Sequence, residues 1–191
     1  MSEERFSIPV LTGTVAGVLA WVVGYLVTYL VTVDEVRSDV RVFAIQEYTG
    51  QTIDWQAVGW LFYNAHTVDT QVPRIGIFSP GYENFLAASD GNIWLLYFLP
   101  PVTLLLAGAL ATARERDGVR TLLDAAIAGT TVAVGYLLVC VLGLFVFAVD
   151  VGNGTIRPDS VPAVLLAGFL YPLVFSGLGG LLVGVLLERY D

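Results

Sequence analysis

The side chains that most often carry chemistry are few here and far apart. There is one histidine, His66, and one cysteine, Cys140. A lone thiol forms no internal disulfide, and one His with one Cys does not make a zinc cluster. An imidazole at His66, two residues after Asn64, has the chemistry of a pH sensor. No Ser, Cys or carboxylate surrounds it at a motif spacing, which favours a structural role. The chain also lacks a nucleophile elbow and a phosphate-binding glycine loop. Asp124 and Asp150 abut the two ends of a long apolar run. A carboxylate in the middle of such a run would mark a functional site, but at its ends water reaches the charge. Asp124 also stands near a helix start, where a negative charge meets the positive end of the helix dipole. Capping or interfacial roles follow for both, and Cys140 reads as a small packing residue. These residues predict no catalytic, cofactor-binding or metal-binding constellation, and therefore no enzyme.

What must position these side chains is visible in the charge pattern. Four stretches contain no charged residue: 8–33, 91–113, 125–149 and 160–187. Each exceeds the roughly 20 residues a helix needs to cross about 30 Å of hydrocarbon. None alternates polar and apolar residues as a barrel strand does, so the backbone must satisfy itself as helix. Composition agrees, with 56% of residues hydrophobic and 14% charged. Soluble domains hold about a half and about a quarter, and four buried soluble helices of this length would be very unusual. The first run is a poor signal peptide, because Glu3 and Glu4 oppose Arg5 and no small-residue cleavage site follows. The expected fold is an all-α membrane protein. It is a single membrane domain over 1–191 with four transmembrane helices, and residues 34–90 form a loop with a helical extracellular cap.

Short loops orient the bundle. Arg114, Arg116 and Arg120 crowd the second loop, whereas the third loop, 150–159, holds Arg157 alone. Positive residues in short loops mark the cytoplasmic side. Both termini and the second loop are therefore expected inside the cell membrane, and the first and third loops outside. Arg5 and Arg189 agree with this. The first loop is too long for a mere connector. Its start, 34–48, is compatible with helix until Gly50. The run Thr52-Ile53-Asp54 then caps a second helix. Trp55, Val58 and Phe62 fall on one stripe of it. They predict an interfacial helix lying on the outer leaflet or capping the bundle, with Gln56 and Asn64 toward water. Pro73, Gly76, Pro80 and Gly81 make 71–90 a turn-rich return.

Within the spans, prolines and glycines stand out. Pro100 and Pro101 fall near the middle of the second span and Pro172 near the middle of the fourth. Each removes a backbone donor and predicts a kink. A pair of broken helices presenting carbonyls to a substrate or ion is one reading. A packing kink is the plainer one, since no charge lies at that depth. Gly13 with Gly17, and Gly180 with Gly184, form small-residue pairs that let helices approach closely, inside the bundle or between copies. Val23-Gly24-Tyr25-Leu26 recurs as Val134-Gly135-Tyr136-Leu137, and Phe98-Leu99-Pro100-Pro101 recurs loosely as Phe169-Leu170-Tyr171-Pro172. Read as a duplication, this makes two repeated helical hairpins of one orientation. Chance recurrence in apolar sequence is the rival. Asn153-Gly154-Thr155 fits a glycosylation acceptor, and equally an Asn-Gly turn between helices.

The basic residues are all arginine, and the net charge is -8. That removes the basic footprint of a nucleic-acid partner. At about 1 M salt the Debye length is about 3 Å, so the acids hydrate the surface rather than steer partners. With this Lys-free acidic composition and four spans, Gly59-Trp60-Leu61-Phe62-Tyr63-Asn64-Ala65-His66 resembles a family of small uncharacterised membrane proteins of halophilic archaea, some of them labelled transporters. The resemblance covers the whole chain and implies no mechanism and no functional residue. Two functions follow. One is a non-enzymatic scaffold or accessory subunit whose partners are the lipid bilayer and another membrane protein. The other is a small homo-oligomeric transporter or channel.

Overall fold

Long apolar runs become helix because nothing else satisfies their backbone. The computed structural model describes residues 8–73, 80–89 and 92–188, and it is mostly helical. Four helical stretches are long and apolar enough to cross a membrane: Val10–Ser38, Ile93–Arg114, Leu122–Val146 and Ser160–Glu188. Arg5, Gly76, Asp90, Gly91 and Arg189, to which the sequence reading appeals, lie outside the described residues.

The first stretch is one helix, α1 (Val10–Ser38). α2 (Val40–Thr49) is capped by Asp39, whose side chain accepts from the Arg41 amide at 2.7 Å. Gly50 ends it with φ +68, a left-handed geometry that glycine adopts without steric cost. α3 (Asp54–Asn64) follows. The second span opens as a 3-10 helix, Ile93–Phe98, and continues as α4 (Leu99–Arg114). The third is α5 (Leu122–Thr130) and α6 (Val132–Val146). They part where Thr130 and Thr131 turn their hydroxyls back onto the carbonyls of Ile127 and Ala128. The fourth opens with α7 (Ser160–Pro162) and a π-helix, Ala163–Leu170, before α8 (Tyr171–Glu188).

The all-α expectation needs correction. Two short strands in the first loop, β1 (Thr70–Val72) and β2 (Gly81–Glu83), join two in the third, β3 (Val149–Val151) and β4 (Gly154–Pro158). The antiparallel order is β2-β1-β4-β3. Thr70 lies opposite both Glu83 and Pro158, and Val149 lies opposite Ile156. Thr70, Val72, Val149, Val151, Ile156 and Pro158 face inward, so the sheet has one packed side.

Backbone contacts divide the chain into two units. Unit 1 holds Met1–Val22, Pro101–Val139 and Gly168–Asp191. Its core gathers Leu104, Ala107, Ala111, Val132 and Tyr136. Its helices touch backbone to backbone. A Cβ on Gly13 would overlap Thr131, and one on Gly17 the Val132 carbonyl. One on Gly179 would overlap the Leu105 carbonyl, and one on Gly180 the Ala125 carbonyl. At Gly184 it would come within 2.7 Å of the Ala125 Cβ. α8 thus packs on both α4 and α5. Thr121 and Asp124 cap α5 reciprocally, each side chain accepting from the other's amide.

Unit 2 holds Val23–Pro100 and Cys140–Ala167, with α2, α3 and the sheet. At its centre is α3.

Candidate functional site

α3 starts from Ile53 without a side-chain cap, and Asp54 sits in its first turn. Asp54 instead accepts from Arg37 Nε at 2.8 Å and Gln46 Nε2 at 3.2 Å, which ties α1 and α2 to the helix start. From Ala57 to Asn64 every residue is buried. An amphipathic stripe therefore does not exist here. Val58 and Phe62 are buried as expected of that stripe, but so are the other faces, and Trp55 is 41% exposed. Asn64, expected to face water, is fully buried, and Gln56 is half-buried.

The polar groups of this helix bond backbone. Trp60 Nε1 donates to the Phe147 carbonyl at 2.8 Å, one of the carbonyls a helix end leaves open. The Tyr63 hydroxyl donates to the Cys140 carbonyl. Asn64 Nδ2 donates to the Val68 carbonyl at 2.8 Å and the Thr70 hydroxyl at 3.3 Å, while its Oδ1 accepts from the Phe85 amide at 3.0 Å. His66 Nδ1 faces the Phe62 carbonyl at 2.8 Å and so carries the ring proton. Rings fill the rest. Phe147 stacks on Tyr25 at 5.1 Å and meets Tyr63 edge-on, and a Cβ on Gly59 would overlap its ring. The Phe62 edge lies 2.9 Å from where a Gly24 Cβ would sit. The octapeptide from Gly59 to His66 is thus the packed centre of unit 2.

Burial pushes the His66 pKa down to about 4, against a smaller raising effect of the Phe62 carbonyl. The unfolded chain, with an ordinary value near 6.5, binds a proton before the folded one does. Stability is therefore intact above about pH 6.5 and lost as pH falls toward 4, by up to roughly 3 kcal/mol. Thermal melts between pH 7.5 and 4.5 should show this slope for the wild type and a shallower one for His66→Gln. Equal slopes would place His66 in contact with water.

Beside α3 is a cleft of about 60 Å³, walled by Val42, Ile45, Trp60, Leu61 and Phe85. The Arg41 guanidinium lies 5.0 Å from the Phe85 ring centre and grips the Asp39 carboxylate at 2.6 Å. Burial alone would raise the Asp39 pKa. The hydrogen bonds from Arg41 outweigh it and hold the carboxyl below its usual range. Among the described residues no group of three or more His, Cys, Asp or Glu is placed to hold a metal.

The remaining sequence candidates are dispersed. Pro100 and Pro172 each stand second in α4 and α8, just after the helix changes type at Phe98 and Leu170. Pro101 follows. All three prolines thus stand at a junction between two helix types, where a residue without an N–H leaves the preceding turn one backbone donor short. Gly13, Gly17, Gly180 and Gly184 are helix-packing positions of unit 1. Cys140 is buried and donates weakly to the Ala163 carbonyl at 3.4 Å. Asp150 accepts from the Thr155 hydroxyl at 2.7 Å. Asn153 is exposed, but the hairpin turn is Gly152-Asn153, with Gly152 at φ +60, rather than Asn153-Gly154.

Residues 2–187 match a family described as a family of unknown function, DUF7978. The chain belongs to it. The match runs through both units, so the family unit includes the helix-and-sheet part as well as the four long apolar helices. No curated protein and no solved structure matches the chain. Membership in DUF7978 agrees with the resemblance read from the octapeptide as far as a family of unknown function, and attaches neither a source nor a transport activity.

Single cysteines test the burial of α3, with Cys140 first replaced. A cysteine at position 55 should label readily with a membrane-impermeant thiol reagent, and those at 58 and 62 at least tenfold more slowly. Comparable rates at 55 and 62 would contradict the packing of Phe62 on Gly24.

Proposed function

We propose that this chain is a non-enzymatic membrane scaffold or accessory subunit, whose helix-and-sheet part presents a fixed surface to a membrane-protein partner. The supporting observation is that Trp60, Tyr63, Asn64 and His66, the polar members of the octapeptide, all bond backbone groups within unit 2. Such a segment builds a shape rather than performing chemistry, because its polar atoms are engaged before any ligand arrives. In this reading the chain lies in the cell membrane with both termini and the loop after α4 in the cytoplasm, and the first and third loops outside. The helical cap is then extracellular. The acidic, Lys-free composition fits a source rich in salt.

The alternative is a small homo-oligomeric transporter or channel built of two repeated hairpins. It is favoured by one observation. The matched segments at Phe98 and Phe169 both sit where an irregular helix turns into an α-helix. Irregular helix of this kind recurs at functional sites in membranes.

Gentle solubilisation, affinity capture and mass measurement in detergent separate the two. Stoichiometric co-purification of another membrane protein supports the scaffold. A closed homo-oligomer without one sinks it in favour of the pore. Reporter fusions after Arg120 and near Pro80 test the orientation, and an external signal from the first would reverse it.

A further inference from the structure

We propose that unit 1 carries a binding site for the phosphodiester headgroup of an anionic, hydroxyl-bearing lipid, held by Arg116 and Arg120. A pocket of about 570 Å³ opens there, lined on its polar side by Arg116, Arg120, Asp117 and Glu188 and on its apolar side by Val119 and Leu187. Gly184 also lines it, where an added Cβ would come within 2.7 Å of the Ala125 Cβ and 3.1 Å of a Leu122 methyl.

The loop that presents the arginines is ordered. The amides of Gly118 and Val119 donate to the carbonyls of Glu115 and Arg116, so consecutive turns fix the four-residue spacing from Arg116 to Arg120. Two of the nearby acids are directed elsewhere. Glu115 accepts from the Thr12 hydroxyl at 2.9 Å. Asp124 accepts from the amides of Arg120 and Thr121 at 3.2 and 3.0 Å. The Arg116 guanidinium is largely exposed and, among the described residues, pairs with Asp117 at 3.7 Å, a distance that makes an ion pair but no hydrogen bond.

These charges define the ligand. Arg116 and Arg120 supply planar donors that suit phosphate oxygens. Asp117 and Glu188 bring the lining to formal neutrality, which disfavours a bare polyanion. The two carboxylates accept hydrogen bonds and so suit a headgroup with hydroxyls attached to its phosphate. Val119 and Leu187 meet the start of an acyl or alkyl chain. The arginines of the pocket supply the phosphate contacts that lipid headgroups find between spans, and its carboxylates set it apart from a purely basic site. This inference stands apart from the scaffold reading and needs only that the spans lie in lipid.

The test uses the full chain in an uncharged maltoside detergent, melted with dioctanoyl phosphatidylglycerol, dioctanoyl phosphatidylcholine or inorganic phosphate at equal concentration. Native mass measurement follows adducts. Phosphatidylglycerol should raise the melting temperature and leave a one-to-one adduct, with the other two giving less. Arg116→Gln should bind it roughly tenfold more weakly, in line with the loss of one charge-assisted hydrogen bond. Arg116 is exposed, so that variant folds even where the double variant with Arg120→Gln does not. Arg157→Gln, an exposed arginine on β4, should bind as the wild type does. Equal shifts with inorganic phosphate would show a free-anion site and overturn the lipid assignment. Equal shifts with phosphatidylcholine, or unchanged binding in Arg116→Gln, would overturn the site itself.

Discussion

Gly180→Ala should cost this protein about 3 kcal/mol or more, and Gly177→Ala, one turn earlier on the same helix, close to nothing. A methyl at Gly180 would overlap the Ala125 carbonyl and come within 2.8 Å of the Thr112 hydroxyl. The first obstacle is backbone, which cannot rotate away, so α5 and α8 must separate. Overpacking at a tight site costs typically 1–3 kcal/mol and more where backbone has to move. A methyl at Gly177 would meet only the Thr130 methyl, at 3.1 Å. A few tenths of an ångström relieve that contact, and the roughly 1 kcal/mol gained in helix propensity offsets it. Gly179→Ala should behave like Gly180→Ala, because its methyl would overlap the Leu105 carbonyl on α4. Gly184→Ala should fall between, since its nearest neighbour is the Ala125 Cβ at 2.7 Å. Leu at either 180 or 184 should be worse than Ala. Unfolding in mixed detergent would rank the variants. A Gly180→Ala protein as stable as the wild type would mean that these helices do not touch through their backbones.

The ranking shows how far the sequence could be read. Four helices long and apolar enough to span a membrane were legible because a charge-free run of that length has one physical solution in lipid. Gly180 and Gly184 were legible as a spaced pair, but their unequal contacts depend on where the Ala125 carbonyl points. The sheet was not legible. Three-residue strands such as Thr70–Val72 and Gly81–Glu83 are too short for alternation to rise above noise. Their pairing joins loops far apart in the chain. The stripe on α3 failed for a different reason. Spacing arguments assume one wet face, and α3 has neighbours on every side from Ala57 onward, with Trp55 left at the exposed end. The same assumption sent Asn64 toward water. A single amide among Trp60, Leu61, Phe62 and Tyr63 is costly to bury unbonded, and this was the available sign that it had buried partners.

Asn64 is accordingly where the largest loss in unit 2 is expected. Its side chain makes three hydrogen bonds, to Val68, Thr70 and Phe85, and joins the end of α3 to β1 and to the segment leading toward the second span. Asn64→Ala deprives polar groups on two other segments of chain of this partner, at Val68 and Thr70 on one and at Phe85 on the other, and opens a small void. Each buried donor or acceptor left unpaired costs about 1–3 kcal/mol, so a loss of about 3 kcal/mol or more is expected. Asn64→Asp separates hydrogen bonding from shape. The carboxylate keeps the bond from the Phe85 amide but cannot donate to the Val68 carbonyl, and it buries a charge against that oxygen. Its folded pKa must rise above the unfolded value near 3.9. The deficit of Asn64→Asp relative to wild type is therefore largest at neutral pH and shrinks as acid protonates the carboxyl, which restores a donor. Asn64→Ala has no such recovery, since it has nothing to titrate. Melts of both variants against the wild type at pH 7.5 and 5 supply the comparison, with the His66 slope common to all three. The damage should also be local. Cysteines at 58 and 62 should label faster in Asn64→Ala, and one at position 107 in unit 1 should stay protected. If both Asn64 variants melt within about 1 kcal/mol of the wild type, the amide is solvated rather than bonded, and the account of α3 as the fixed centre of unit 2 fails with it.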